Sequence, residues 1–239
     1  MLSLCTSKAQ LTVTLLEHHP TEESARHVVA WYLLAWEVRH ALVAGGGHHE
    51  FVFKFERSEI VDRDPPPPGE RTVSARVSQL PVEVLISAKG TVERGALPAP
   101  PTDFVLDPDA EALSLRWRRY ADGGESLQSA AYFILTVLER YGGRASGAAR
   151  LGVSRRVLET LGRLASHTGD VLTARKADAA EQPLTQEERV WMEATIRMLI
   201  QRAAEVAAEP DGPREQITMM KQSRTVWTRT SSGSSRWET

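Results

Sequence analysis

Leu127-Gln128-Ser129-Ala130-Ala131-Tyr132-Phe133-Ile134-Leu135-Thr136-Val137-Leu138 is apolar on nearly every side of a helix. A helix with one apolar stripe lies on a surface, whereas one that is apolar all round is enclosed by others. This stretch therefore reads as the buried centre of a helical bundle. Upstream, Asp107-Pro108 has the pattern of a cap followed by proline at the first helical position. Leu113, Trp117 and Tyr120 then line one stripe, which Asp122-Gly123-Gly124 breaks. Downstream, Gly142-Gly143 ends the central helix. Thr185 and Glu188 have capping-box spacing and open a last long helix. In it Met192, Ile196, Leu199, Ala203 and Val206 form a heptad-like seam, with Glu193 and Arg197 as an exposed i,i+4 pair. Glu209-Pro210 stops it.

The chain before residue 97 has a different period. Leu11, Val13 and Leu15 alternate with threonines, as do Phe51, Phe53 and Phe55 with Val52 and Lys54. Val73, Ala75 and Val77, then Val82, Val84 and Ile86, repeat the alternation of a strand. Between the first two strands, Thr21-Glu22-Glu23 caps a helix, and Val29, Leu33, Trp36, His40 and Val43 fall on one face. The fold class is α+β: a small β-α-β-β-β N-terminal module (1–96), a Pro-rich linker (97–106) and an all-α helical bundle (107–209). From 210 to 239 Ser, Thr, Arg and Gly dominate without apolar period, the composition of a flexible tail. Trp227 and Trp237 have no physical account there.

Bulk properties exclude several classes. The 239 residues are 41% hydrophobic and 25% charged, as in ordinary globular proteins. A net charge of -2 argues against nucleic-acid binding by the whole surface and leaves room for a local basic patch. The single cysteine, Cys5, has no partner for an intramolecular disulfide and fits a reducing compartment. No apolar run approaches the ~20 residues of a membrane span. Leu2-Ser3-Leu4-Cys5 has a faint lipobox look, but no signal-peptide order precedes it, so a cytoplasmic location is expected. Only five of the 29 basic residues are lysine, a bias that suits a bacterium with a GC-rich genome.

The segment most suggestive of a partner is Gly147-Ala148-Ala149-Arg150-Leu151-Gly152-Val153-Ser154-Arg155-Arg156-Val157-Leu158-Glu159-Thr160-Leu161. Ala148 suits a close helix crossing, Gly152 a tight turn four residues later, and Ser154 a helix cap. Leu151, Val153, Leu158 and Leu161 form a packing set, with Arg155, Arg156, Glu159, Thr160 and Arg163 projecting outward. From Arg140 to Lys176 eight basic residues stand against Glu159 and Asp170, a local +6. The segment (about 144–165) resembles the helix-turn-helix of bacterial transcription regulators such as the Fis-type family. The resemblance implies DNA as partner and major-groove contact by the second helix. Arg155 and Arg156 would touch bases or phosphates, Arg150 and Arg163 phosphates, with Ser154 and Thr160 alongside.

A second resemblance is coarser. An apolar central helix, a basic turn and a long final helix are similar to bundles of the HEPN type, many of which are RNases. Their arginine followed four to six residues later by histidine is missing, because only three residues separate Arg163 from His167 and no histidine follows Arg175-Lys176. No catalytic residue, cofactor or metal site is expected. His18-His19 and His48-His49 are neighbours that a strand would point to opposite faces. No GxSxG, Walker A, Rossmann or HExxH pattern occurs. Nucleic-acid association by a non-enzymatic protein is thus the expectation. The opposing class is an interaction protein that meets a partner, or itself, through the 186–208 helix.

Overall fold

Alternating Leu11, Val13 and Leu15 build a strand because every second side chain meets one face. All three are buried, while Thr12 and Thr14 between them are half-buried. The computed structural model describes residues 2–7, 10–17, 19, 21–44, 51–62, 82–92, 99–140, 142–169 and 183–219. Cα packing divides the chain into two compact units, Met1–His40 with His49–Pro101, and Ala41–His48 with Thr102–Thr239.

The first unit contains strands β1 (Leu2–Ser7), β2 (Gln10–Leu15), β3 (Phe51–Asp62) and β4 (Val82–Val92) and most of helix α1 (Glu22–Ala44). The strands form one sheet in the order β1-β2-β4-β3, with antiparallel neighbours throughout. β2 and β3 therefore run the same way with β4 between them, and α1 is the crossover that joins them. Thr21 Oγ1 accepts the Ser24 N–H at 3.1 Å, and Glu22 and Glu23 occupy the first turn of α1. Ala25, Val29, Leu33 and Trp36 form one buried cluster with Leu11, Val13 and Leu15, and Tyr32 and Phe53 pack against it. Val43, expected on that face, is 49% exposed.

The expected β-α-β-β-β order is not shown among the described residues. The described residues give β-β-α-β-β, with β1 an additional strand whose Leu2 lies opposite Leu15. The alternation at 73–77 lies outside the described residues.

The second unit contains α2 (Pro108–Ala121), α3 (Leu127–Glu139), α4 (Gly143–Leu151), α5 (Arg155–His167) and α6 (Gln186–Ala208). Its helix starts are written locally. The Asp107 carboxylate accepts the Ala110 N–H at 2.7 Å, Ser126 Oγ accepts that of Ser129 at 3.2 Å, and Thr185 and Glu188 form a reciprocal capping box. Each cap contributes about 1 kcal/mol, against about 1.5–3 kcal/mol for each large apolar side chain fully buried. Caps thus set where helices begin, and the apolar seams set how they pack. α3 and α6 each pack against the other four helices. The seam of α6 is buried inside this bundle, from Met192 and Ile196 at 0% to Val206 at 6% exposure. It is therefore used up within the chain and does not face a partner. Glu193 and Arg197 are half-buried: Glu193 accepts the Tyr120 hydroxyl at 2.5 Å, and Arg197 lies 6.0 Å from the Trp117 ring.

Two boundaries differ from expectation. The end of the supposed linker is packed, with Phe104 and Leu106 buried and the Val105 N–H donated to Ala204 O at 3.1 Å. Residues 210–219, expected as tail, form a strap. Arg214 donates to the carbonyls of Pro210 (3.2 Å), Gly212 (3.0 Å), Glu205 (3.4 Å) and Glu209, which ties the strap to the end of α6. Residues 220–239 lie outside the described residues.

Two predictions follow from this packing. A Cβ on Gly147 would lie 2.7 Å from the Leu138 carbonyl oxygen, a backbone atom with no room to rotate away. Gly147→Ala is expected to lower stability by about 1–3 kcal/mol, and an unchanged urea midpoint would refute the close crossing. Burial, reinforced by hydrogen bonding to Glu193, pushes the Tyr120 phenol up to about 12. The folded chain holds that proton more tightly than the unfolded chain, so the stabilisation is complete below about 10 and is lost as pH rises toward 12. Tyr120→Phe should flatten the alkaline fall of the unfolding midpoint over that window. A fall as steep as in the parent chain would count against it.

Candidate nucleic-acid interface

α4 has only nine residues, too few for a stable helix on its own. Its place is fixed by contact. Gly147 and Ala148 are both buried, and Gly147 is pressed against the α3 backbone. The helix ends at Gly152, whose φ of 61° is left-handed. Val153 N–H returns to Ala148 O at 2.9 Å and Gly152 N–H to Ala149 O at 3.1 Å, the paired bonds of a Schellman end. Only Gly152, Val153 and Ser154 separate α4 from α5. The strap is bonded to this turn: Ser154 N–H donates to Ile217 O at 2.8 Å, and Ile217 N–H to Gly152 O at 2.9 Å.

Ser154 stands at the N-cap of α5, but its side chain makes no cap bond, and its backbone is held by Ile217 instead. Beyond it Val157, Leu158, Leu161, Leu164 and Ala165 are buried on one arc of α5. Leu151 and Val153 are buried beside them. The opposite arc carries exposed Arg155, Arg156, Glu159 and Arg163 and half-buried Thr160. Arg156, Thr160 and Arg163 recur at steps of four and three, which aligns them along the outward side. His167 continues this stripe one turn beyond Arg163.

The electrostatics of the corner differ from a count of its own letters. Arg140 pairs with Asp109, and Arg150 lies 3.7 Å from Asp109 and 3.9 Å from Asp107. Arg144 Nε donates to Glu139 at 2.7 Å, and its guanidinium lies over Gly162, where a Cβ would come within 2.9 Å. These three arginines tie α3 and α4 to their surroundings. Arg155 pairs with Glu159 at 2.7 Å on the open surface, an interaction worth about 0.3–0.5 kcal/mol. Among the described residues Arg156 and Arg163 have no carboxylate within ion-pair distance. Arg175 and Lys176 lie outside the described residues. From 140 to 163 four of the six arginines therefore face four carboxylates. Three of these, Asp107, Asp109 and Glu139, precede the basic segment in sequence, so a window opened at residue 140 overlooks them. The signal that would have found the first two is the α2 cap itself.

Among the described residues no group of three or more His, Cys, Asp or Glu side chains is arranged to hold a metal ion. His18, His48 and His49 lie outside them. No described helix is long and apolar enough to cross a membrane. No family model, curated protein or solved structure matches the chain.

The ion pairs separate two kinds of arginine by experiment. Arg150→Ala removes a contact between α4 and the start of α2 and is expected to lower stability by about 1 kcal/mol, discounted for its partial exposure. Arg156→Ala should stay within about 0.5 kcal/mol of the parent. Equal thermal midpoints for the two variants would contradict this division.

Proposed function

We propose that the second unit binds duplex nucleic acid, with α5 laid in the major groove of DNA. The observation that carries this reading is the outward stripe of Arg156, Thr160 and Arg163 on a helix whose other side is anchored in the core. A major groove about 12 Å wide admits one α-helix, and a short turn, Gly152–Ser154, joins α4 to α5. Guanidinium groups with no internal carboxylate are the ones available to phosphates or guanine edges. Arg156 and Arg163 are assigned that role, and Thr160 lies between them to contact sugar or base. Arg155 joins once it leaves Glu159, which costs little at the surface. Arg150 acts as a positioning residue that holds α4, and Ser154 through its backbone bond to the strap.

Fluorescence anisotropy with a labelled 20-base-pair duplex tests this directly. Parent protein should bind, weakening steeply with salt. Arg156→Ala/Arg163→Ala should lose about tenfold or more at fixed salt and reduce the log–log salt slope by about 2, one unit per lost phosphate contact. Absence of salt-sensitive binding at low ionic strength would end the reading.

A further inference from the structure

The strap decides where the chain goes after α6. It is held at three places: Arg214 donates to the Glu205 carbonyl of α6, Arg202 Nη2 donates to Glu215 O at 3.1 Å, and Ile217 is bonded on both sides to the Gly152–Ser154 turn. The pairing of Val153 with Ile217 is parallel. Two parallel segments advance in the same direction. From Ile217 to Thr218 the chain therefore runs as it does from Val153 to Ser154, toward the first turn of α5, which carries Arg155 and Arg156. Met219 is at most about 7 Å of chain beyond Ile217. The segment 220–239 thus starts from the end of α5 where the arginine stripe begins.

We propose that residues 220–239 are a second nucleic-acid contact, an arm that crosses the duplex backbone from α5 and enters the adjacent minor groove. The inference rests on the DNA reading for the position of the duplex, and on the arm's own sequence for its chemistry. Lys221, Arg224, Arg229 and Arg236 stand against Glu238 alone, a surplus of +3 in a chain whose total is -2. They are spaced by three, five and seven residues, so they follow a line of phosphates rather than crowd one point. Most residues between them are Ser or Thr, whose hydroxyls bond phosphate and sugar oxygens. Trp227 and Trp237 are large apolar rings in this polar setting, the first between Arg224 and Arg229 and the second next to Arg236. An indole packs on sugar or base while a neighbouring cation holds the phosphate. Arginine is the side chain that a narrow minor groove attracts. Twenty extended residues reach ~66 Å, against about 34 Å for one turn of the duplex. An acidic protein surface would also draw these cations. The starting point favours the duplex, because the phosphates held by α5 lie where the arm begins.

Anisotropy with a labelled A·T-rich 30-base-pair duplex separates the arm from α5. Three variants of the full chain are compared with the parent: Lys221→Ala/Arg224→Ala/Arg229→Ala/Arg236→Ala, Trp227→Ala/Trp237→Ala, and Arg156→Ala/Arg163→Ala. Thermal midpoints equal to the parent's confirm that the arm variants fold. Loss of the four cations should weaken binding by about tenfold or more at fixed salt and lower the log–log salt slope by about 3. Loss of the two indoles should weaken it by about fivefold with the slope unchanged, because stacking releases no counterions. Netropsin, a minor-groove ligand, should weaken the parent and leave the four-cation variant unaffected. Arm variants that bind like the parent, while Arg156→Ala/Arg163→Ala loses binding, would overturn the arm and leave the α5 reading standing. The reverse pattern would end the α5 reading and keep the arm as the contact. A parent indifferent to netropsin would refute the minor-groove placement, and tighter binding of a single strand than of the duplex would overturn the proposal in favour of single-stranded nucleic acid. No salt-sensitive binding by the parent would end both readings.

Discussion

Gly147 has no side chain, and the architecture of the helical unit turns on that. α4 reaches the Leu138 carbonyl at a separation that any Cβ would violate. Nine residues with three glycines or serines among them have little intrinsic reason to be helical. The helix exists because the close approach lets Ala148 and Leu151 reach the core formed by α3 and α6. Its end at left-handed Gly152 then fixes where α5 starts, and the burial of Val157, Leu158, Leu161 and Leu164 fixes which arc of α5 faces outward. The direction of the arginine stripe is thus a consequence of backbone contact two elements away.

The same corner shows why charge must be assigned to partners before it is assigned to a function. Asp109 is 7% exposed and sits among Arg140 and Arg150, while Asp107 divides its carboxylate between the Ala110 N–H and Arg150. A buried carboxylate stripped of its cations is costly, so these arginines serve the fold first. Arg156 and Arg163 have no such claim on them. The strap adds to this economy: Arg214, which the sequence places in an apparently loose tail, is tied to the end of α6 and brings Ile217 to the turn before α5.

Legibility in the sequence follows the range of the interaction. Asp107, Ser126, Thr185 and Glu188 cap helices through partners three residues away, and a local reading suffices for such signals. The apolar run of α3 announces a central helix because enclosure leaves no polar face. β1 has the same two-residue alternation as β2, Leu2 and Leu4 against Ser3 and Cys5, but a short run beside a chain end carries little weight until its pairing with β2 is known. The seam of α6 reads equally well as a core stripe or a partner stripe, and only the helices packed on it decide. The strap, the Asp109–Arg150 pair and the Gly147 crossing join residues far apart in sequence or depend on backbone position, and no local pattern encodes them.

Total charge is a poor guide to what such a chain binds. The net value of -2 averages over the whole chain. At physiological ionic strength an exposed charge is screened beyond about 8 Å. The field at the surface of α5 is therefore set by Arg156, Arg163 and the Arg155–Glu159 pair rather than by the net charge. That surface is set on one side of a helix whose other side is buried. A chain near neutrality is thus compatible with a locally basic helix surface.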